Sequence, residues 1–317
     1  MRTAIIDLGT NTFNLLITEL TADNKVKFIL SSKEPVMLGK EGINSNMISP
    51  EAFERGLSAI GNHMKTIGSY RVMEVHAFAT SAIRSAANGT EFINAVSRKF
   101  NIGVRVISGD KEAELIYLGV KQVVNMEGEK NLIIDIGGGS NELIIADNDK
   151  IYWKKSFPLG MARLLEKFKP SDPIEQDEIV AIENYISHTL GSFFEASIIH
   201  KPASIIGSSG SFDTFRNLLM ALDEKNLAGI NRNKPSFEFS SDEFSRLYSL
   251  LINSTAVERS AMKGMDPMRV EMIVIAGIFV NFIARRLNTD LLIQSDYALK
   301  EGAVVEIMKQ HIESLQQ

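Results

Sequence analysis

The sequence predicts an α/β protein of two similar halves, and three observations carry that prediction. Residues 133–145 read Ile-Ile-Asp-Ile-Gly-Gly-Gly-Ser-Asn-Glu-Leu-Ile-Ile, an apolar run ending in Asp135, a turn of three glycines and a second apolar run. That is the pattern of two short buried strands joined by a tight turn. Residues 4–17, with Asp7, Leu8, Gly9, Thr10 and Asn11 at their centre, repeat the same grammar about one domain earlier. The third observation is length: 317 residues leave room for about two domains. Two Asp-Gly hairpins at this separation predict two halves that face each other across a cleft.

The residue types of the hairpins suit phosphate. Glycine has no Cβ, so its backbone N–H groups approach a ligand closely and its φ can be positive. Successive N–H groups in such a turn wrap an anion. Asp135, at the end of a strand, is placed to hold a metal ion that the phosphate also touches. One such turn fits equally well a plain hairpin with Glu142 on its surface; the second copy favours the phosphate site.

The elements follow in order. Residues 1–19 form the first hairpin, Lys25 to Leu30 a further strand, and Lys33 to Asn46 a loop. Ser49-Pro50-Glu51 is a helix start, with a serine N-cap, proline at the first helical position and an acid in the first turn. Phe53, Leu57, Ile60 and Met64 keep helical spacing as far as Gly68. Met73 to Thr80 alternates as a strand, and Ser81 is expected to cap a short helix holding Arg84. A helix start after a strand is where α/β sheets bind anions, although a lone arginine is more often a surface residue. A helix over 90–100 and a strand over 104–107 lead to a helix over 111–120, with Glu112 and Glu114 expected in its first turn.

Residues 131–146 form the second hairpin, followed by a strand over 150–157 and a helix from Met161. One long amphipathic helix is expected over 174–199. A strand over 203–206 runs into Gly207-Ser208-Ser209-Gly210-Ser211, a small-residue turn before a helix from Phe212 that could hold phosphate or be an ordinary tight connection. Residues 221–239 read as a polar excursion. Helices are expected over 241–253, over 254–265 and from Asp266-Pro267 onward, the last containing Arg269. A strand over 291–293 and a closing helix complete the chain.

Composition narrows the function classes. Hydrophobic content is 44% and charged content 23%, ordinary for a soluble globular protein. The longest apolar run, Met272 to Ile283, is too short to span a bilayer. The chain enters a strand at once, so no secretion signal is expected. With no cysteine there are no disulfides and no thiolate metal sites, which fits a cytoplasmic location. A net charge of −5 argues against nucleic acid as a partner, so any polyanion is held by a local groove with help from metal. The five histidines are scattered, without zinc spacing, and read as structural or surface residues.

Taken together, the motifs resemble the exopolyphosphatase / guanosine pentaphosphate phosphohydrolase (Ppx/GppA) family of the sugar kinase–Hsp70–actin superfamily. The matching residues are Ile6 to Asn11, Ala79 to Arg84, Ile107-Ser108-Gly109 with Glu112-Ala113, Asp135 to Leu143, Gly207 to Ser211, and Ser295-Asp296-Tyr297 with Glu301-Gly302. They occur in family order over nearly the whole chain.

The resemblance implies two actin-like (ribonuclease H-like) α/β domains with the active site between them, over residues 1–122 and 123–300, the final helix packing back on the first. It implies release of the terminal phosphate from polyphosphate, or of the 5′ γ-phosphate from guanosine pentaphosphate, with Mg²⁺ or Mn²⁺. It also implies a cytoplasmic homodimer with no membrane partner. Residue by residue, Glu112 matches the glutamate that activates water, and Asp135 and Glu142 match essential acids at metal and phosphate. Asp7 matches the first-hairpin metal acid. Gly9, Thr10, Asn11, Gly137, Gly138, Gly139, Ser140 and Arg84 match phosphate-binding positions, and Ser209 and Gly210 fall in the third small-residue turn.

The chain departs from the family pattern at Lys111, where glutamate is frequent, and at Glu114, where arginine is frequent. The second change removes a phosphate contact, and Lys111 is expected to offset it. Thr10, Asn141 and Lys300 replace serine, threonine and arginine. The helical extension with a His-Asp motif that long members carry is not expected here. Two other readings stay open: an ATPase or sugar kinase on the same fold, and a non-catalytic phosphate or nucleotide sensor.

Overall fold

In a computed structural model, which describes residues 1–21, 23, 25–222 and 234–315, β1 (Arg2–Leu8) and β2 (Thr12–Leu20) pair antiparallel as the first hairpin. They are followed by β3 (Val26–Pro35), α1 (Pro50–Ser69), β4 (Glu74–Ala79), α2 (Ser81–Ser85), α3 (Gly89–Phe100), β5 (Val104–Val106) and α4 (Gly109–Val120). The sheet order is β3-β2-β1-β4-β5, with β1, β4 and β5 parallel.

Alternation along the hairpin sorts its side chains. Ala4, Ile6, Leu8, Phe13, Leu15 and Ile17 enter one core with Ile60 of α1 and Phe92 of α3. Asp7, between Ile6 and Leu8, therefore lies on the opposite face. Ser49 caps α1 by accepting from the Ala52 N–H at 3.3 Å, with Pro50 opening the helix and Glu51 in its first turn. Gly56 allows the close approach of Phe92, whose ring would lie 2.8 Å from a Cβ there.

Three local expectations change in this part. β3 runs on to Pro35 because pairing with β2 continues to Thr12↔Pro35, through residues that read as loop. Thr80, not Ser81, is the N-cap of α2; its side chain makes no cap bond and its Oγ1 donates instead to the Leu8 carbonyl at 3.4 Å. α4 starts at Gly109, so Asp110 and Glu112 occupy its first turn and Glu114 lies beyond it.

The second part opens with β6 (Asn131–Ile136) and β7 (Asn141–Ala146), then β8 (Ile151–Phe157), α5 (Met161–Phe168), α6 (Gln176–Thr189), α7 (Gly191–His200), β9 (Ile205–Ser208) and α8 (Ser209–Leu222). It continues with β10 (Ser236–Ser240), α9 (Ser241–Ile252), α10 (Ala256–Ala261), α11 (Met272–Leu287) and β11 (Leu291–Ser295), and the chain ends in α12 (Leu299–Leu315). The sheet order is β10-β11-β9-β6-β7-β8. Read from its hairpin side, β8-β7-β6-β9-β11 repeats β3-β2-β1-β4-β5, with β10 added antiparallel at the edge. The repetition heard in the two Asp-Gly hairpins thus extends to whole sheets.

The chain separates into two compact units: Met1–Gly119 with Gly137–Gly139 and Leu299–Gln317, and Val120–Ile136 with Ser140–Ala298. Each is an α/β unit built on one mixed sheet. In the first, α12 packs on β1 and β2. No helix among the described residues is long and apolar enough to cross a membrane.

The second unit corrects several expected boundaries. The helix expected over 174–199 breaks at Leu190, which closes α6 and opens α7 just before Gly191, a poor helix former. α8 begins at Ser209, so Ser209 and Gly210 form a helix start and not a loop. α10 is short, beginning at Ala256 after the Thr255 N-cap, whose capping box is completed by Glu258 inside the helix. α11 begins at Met272, leaving Arg269 in the preceding turn, where its N–H reaches the Asp266 carbonyl at 2.8 Å. Part of the expected excursion is strand β10, whose edge pairing with β11 orders it; residues 223–233 lie outside the described residues.

Candidate active site

In the first unit, Asp7, next to last in β1, lies directly opposite Asn14 on β2, and Asn14 Nδ2 donates to Asp7 Oδ2 at 2.9 Å. Burial pushes the Asp7 carboxyl up to about 6, against the pull of the Asn14 hydrogen bond and of Lys300; Glu301 adds to the rise. Lys300 and Glu301 sit in the first turn of α12, with Lys300 Nζ 2.7 Å from Glu301 Oε1. A carboxylate held here without a matching charge is costly, and a bound cation would offset that cost.

The turn after Asp7 is held from behind. Gly9 N–H donates to the Thr12 carbonyl at 3.1 Å, and a Cβ on Gly9 would lie 2.8 Å from that oxygen. The N–H groups of Val36 and Met37 donate to Asn11 O at 2.9 Å, and that of Leu38 to Thr10 O at 2.7 Å. The carbonyls of Thr10 and Asn11 are thereby fixed by the chain that leaves β3. Gly137–Gly139 group with this unit. A Cβ on Gly138 would come within 2.6 Å of Asn11 Nδ2, and one on Gly139 within 2.7 Å of both Thr10 Oγ1 and Ser81 Oγ. The glycines therefore lie against amide and hydroxyl groups at a distance only glycine allows.

Arg84 and Glu112 complete this half. Arg84 Nη1 donates to Glu112 Oε2 at 2.8 Å and to the Ile107 carbonyl at 3.0 Å. The Glu112 side chain is 10% exposed, so it is enclosed yet still reached by solvent. Lys111, next to it, pairs with Glu306 of α12 and with Glu114 at 3.4 Å. The expectation that Lys111 replaces a lost phosphate contact is corrected: its ammonium is committed to two carboxylates.

In the second unit, Asp135, next to last in β6, lies directly opposite Glu142 on β7, the same seven-residue offset as Asp7 and Asn14. Opposed residues share a sheet face, so the two acids face the same side. Glu142 is 1% exposed, which removes the reading of a surface carboxylate. Its Oε1 accepts from Ser140 Oγ at 2.8 Å and from Ser156 Oγ at 2.6 Å. Ser208 lies opposite Asp135 on β9, fully buried.

Ser209 takes a left-handed φ of 69° to turn the chain from β9 into α8. Behind Gly210 lies Arg269, which the sequence placed on a helix and gave no role. Its Nη2 would be 2.1 Å from a Cβ on Gly210, and its Nη1 donates to Ser211 Oγ at 3.2 Å. Burial lowers the pKa of this guanidinium, opposed by Asp266, Asp213 and Asp135. A half-buried arginine against a helix N-terminus is an arrangement suited to an anion. The only sequence signal for it was Gly210, whose missing side chain makes the space.

His63 is a structural residue: it is buried, its Nε2 lies 3.0 Å from the Phe13 carbonyl, and burial pushes its pKa down. Among the described residues no three His, Cys, Asp or Glu side chains form a ready-made metal cage. The acids present suit Mg²⁺, which is usually held by one or two carboxylates and by substrate phosphates.

Comparison with known proteins fits this geometry. An exopolyphosphatase from Cytophaga hutchinsonii superposes with a TM-score of 0.94 at 36% identity, covering 98% of both chains. The Ppx/GppA family member of Aquifex aeolicus gives 0.77 at 26% identity, again covering 98% of both. Exopolyphosphatase 1 of Mycobacterium leprae is 26% identical over 309 residues, 96% of this chain and 89% of its own. A bifunctional 3-dehydroquinate synthase/phosphatase of Fusobacterium nucleatum is 28% identical over 313 residues, and the chain spans 46% of its length. Residues 16–311 match the Ppx/GppA phosphatase family, and the chain belongs to that family.

Proposed function

We propose that the protein is an exopolyphosphatase that hydrolyses the terminal phosphoanhydride of inorganic polyphosphate with Mg²⁺. The observation that carries this reading is Glu112, an enclosed carboxylate held by Arg84 in the unit that also holds the glycine turns. Phosphoanhydride hydrolysis needs positioned phosphate, neutralised charge and an oriented water. The N–H groups of the turns at Gly9–Asn11 and Gly137–Gly139 bind the phosphoryl oxygens. Arg84 adds its guanidinium. Glu112 orients the attacking water and takes its proton.

In the second unit Asp135, next to last in β6, and Glu142 opposite it on β7 are metal-ligand positions, and Asp7 holds the matching position in the first unit. When bound, Mg²⁺ neutralises phosphate charge and polarises the bond that breaks. Ser140 and Ser156 keep Glu142 fixed, and Ser209, Gly210 and Arg269 supply a further anion-binding position at the start of α8. The raised pKa of the half-buried Asp7 carboxyl supports this assignment, since a cation relieves the penalty on its charge.

The test is phosphate release from long polyphosphate, short polyphosphate, guanosine pentaphosphate and ATP side by side, with and without Mg²⁺. Mg²⁺-dependent release from polyphosphate is expected. Release from guanosine pentaphosphate alone would move the substrate to the nucleotide, release from ATP alone would make the protein an ATPase, and binding without turnover would make it a sensor.

A further inference from the structure

The Lys111–Glu306 pair lies one residue away from the group assigned as base, and the reaction as described above does not use it. Lys111 follows Asp110 in the first turn of α4, immediately before Glu112, and Glu306 is on α12. The Lys111 side chain is 33% exposed and that of Glu306 17%, so the pair is more enclosed than an ordinary surface bridge. Burial disfavours the charged ammonium, but the hydrogen bond and charge of Glu306, with Glu114, outweigh it and raise the Lys111 pKa.

The two helices are also locked one turn away. A Cβ on Gly302 would sit 1.7 Å from the Leu115 carbonyl and 2.9 Å from the Gly119 N–H. Gly302 meets Leu115 while Glu306 meets Lys111, so α12 and α4 run in opposite senses and are fastened at two successive turns. The first turn of α12 carries Lys300 and Glu301, whose charges act on Asp7. One helix therefore sets the surroundings of Asp7 at its start and grips the turn that bears Glu112 one turn later.

We propose that Lys111 and Glu306 are a positioning pair, which holds the first turn of α4 so that Glu112 is aimed at the attacking water. The pair touches neither substrate nor metal and acts through Glu112, so the inference rests on Glu112 being the base. The effect of such a pair falls on kcat, because a small misplacement of a catalytic group is costly while phosphate binding is left in place.

The experiment measures kcat and KM for Mg²⁺-dependent phosphate release from polyphosphate in Lys111→Met, Glu306→Gln and the double variant, with Glu112→Gln alongside. Each single variant is expected to lose about tenfold in kcat with KM within about twofold, the scale on which a small displacement of a catalytic group is felt. The double variant is expected to lose no more than Lys111→Met alone, which removes the contacts to Glu306 and to Glu114, because Glu306→Gln removes only the first of them. Unchanged kcat in either single variant, or losses that multiply in the double, would overturn the pair while an inactive Glu112→Gln leaves the base in place. An active Glu112→Gln would overturn the base and the pair together. Melting curves of all variants separate a loss of fold from a loss of aim, and the near-isosteric Glu306→Gln carries the test if Lys111→Met melts below the assay temperature.

Discussion

Arg84 and Glu112, 28 residues apart, are joined by a 2.8 Å hydrogen bond between Nη1 and Oε2. The same nitrogen holds the carbonyl of Ile107, the residue after β5, so the guanidinium is fixed from two sides. This contact does two things at once. It sets the direction of the carboxylate, and it keeps a positive charge beside the place where phosphate would come.

Arg84→Met removes both effects. Turnover on polyphosphate should fall by about 100-fold, the scale of losing one positioned charge at a phosphoryl or oxyanion centre. Combined with Glu112→Gln, it should add little, because the two side chains act as one unit. Steady-state kinetics of the two single variants and the double variant check this; independent, multiplying losses would argue against a shared role.

Asp7 links activity to stability. Its folded pKa of about 6 lies above the 3.8 of an unfolded aspartate, so folding favours the protonated form. The contribution is fully present below the unfolded value and is lost as pH rises through about 6. Without metal, Asp7→Asn should therefore raise Tm most at pH 8, by roughly 1–3 kcal/mol in stability, with the gain fading below pH 4. Melting curves in a chelator across this range check the sign, and the same variant should be inactive.

Gly139→Ala puts a methyl group where Thr10 Oγ1 and Ser81 Oγ are 2.7 Å away. Thr10 belongs to the proposed phosphate-binding turn, and Ser81 is the first residue of α2. The variant should raise KM for polyphosphate about tenfold or more, with a stability loss of roughly 1–3 kcal/mol from overpacking. A titration of phosphate release against substrate distinguishes this from a loss in kcat alone.

Arg269→Lys keeps a charge but loses the planar fork that lies over Gly210 and bonds Ser211. Affinity for polyphosphate should drop by about tenfold, as for loss of one charge-assisted hydrogen bond. Calorimetric binding with Glu112→Gln as the background isolates affinity from turnover. Unchanged affinity would restrict Arg269 to a structural role.

Much of this was legible in the chain, for physical reasons. The hairpins at Asp7 and Asp135 could be read because buried strands and glycine turns leave strong local patterns, and those turns carry most of the proposed phosphate contacts. Asn14 was passed over although it stands seven residues after Asp7, as Glu142 stands seven after Asp135; aligning the two hairpins would have found it.

Arg269 was hidden because an arginine before an apolar helix looks like any helix residue, and only the fold brings it to Gly210. The partner of Lys111 lies 195 residues away on α12, a distance no local pattern spans. The break at Leu190 was missed because the apolar periodicity of α6 runs on across it into α7.

The most direct measurement is phosphate release by Glu112→Gln from polyphosphate in Mg²⁺, together with equilibrium binding of the same polyphosphate. Loss of the base predicts turnover reduced by about 100-fold or more, with affinity within a few-fold of the unmodified chain. Turnover equal to that of the unmodified chain would contradict the assignment of Glu112, and with it the mechanism.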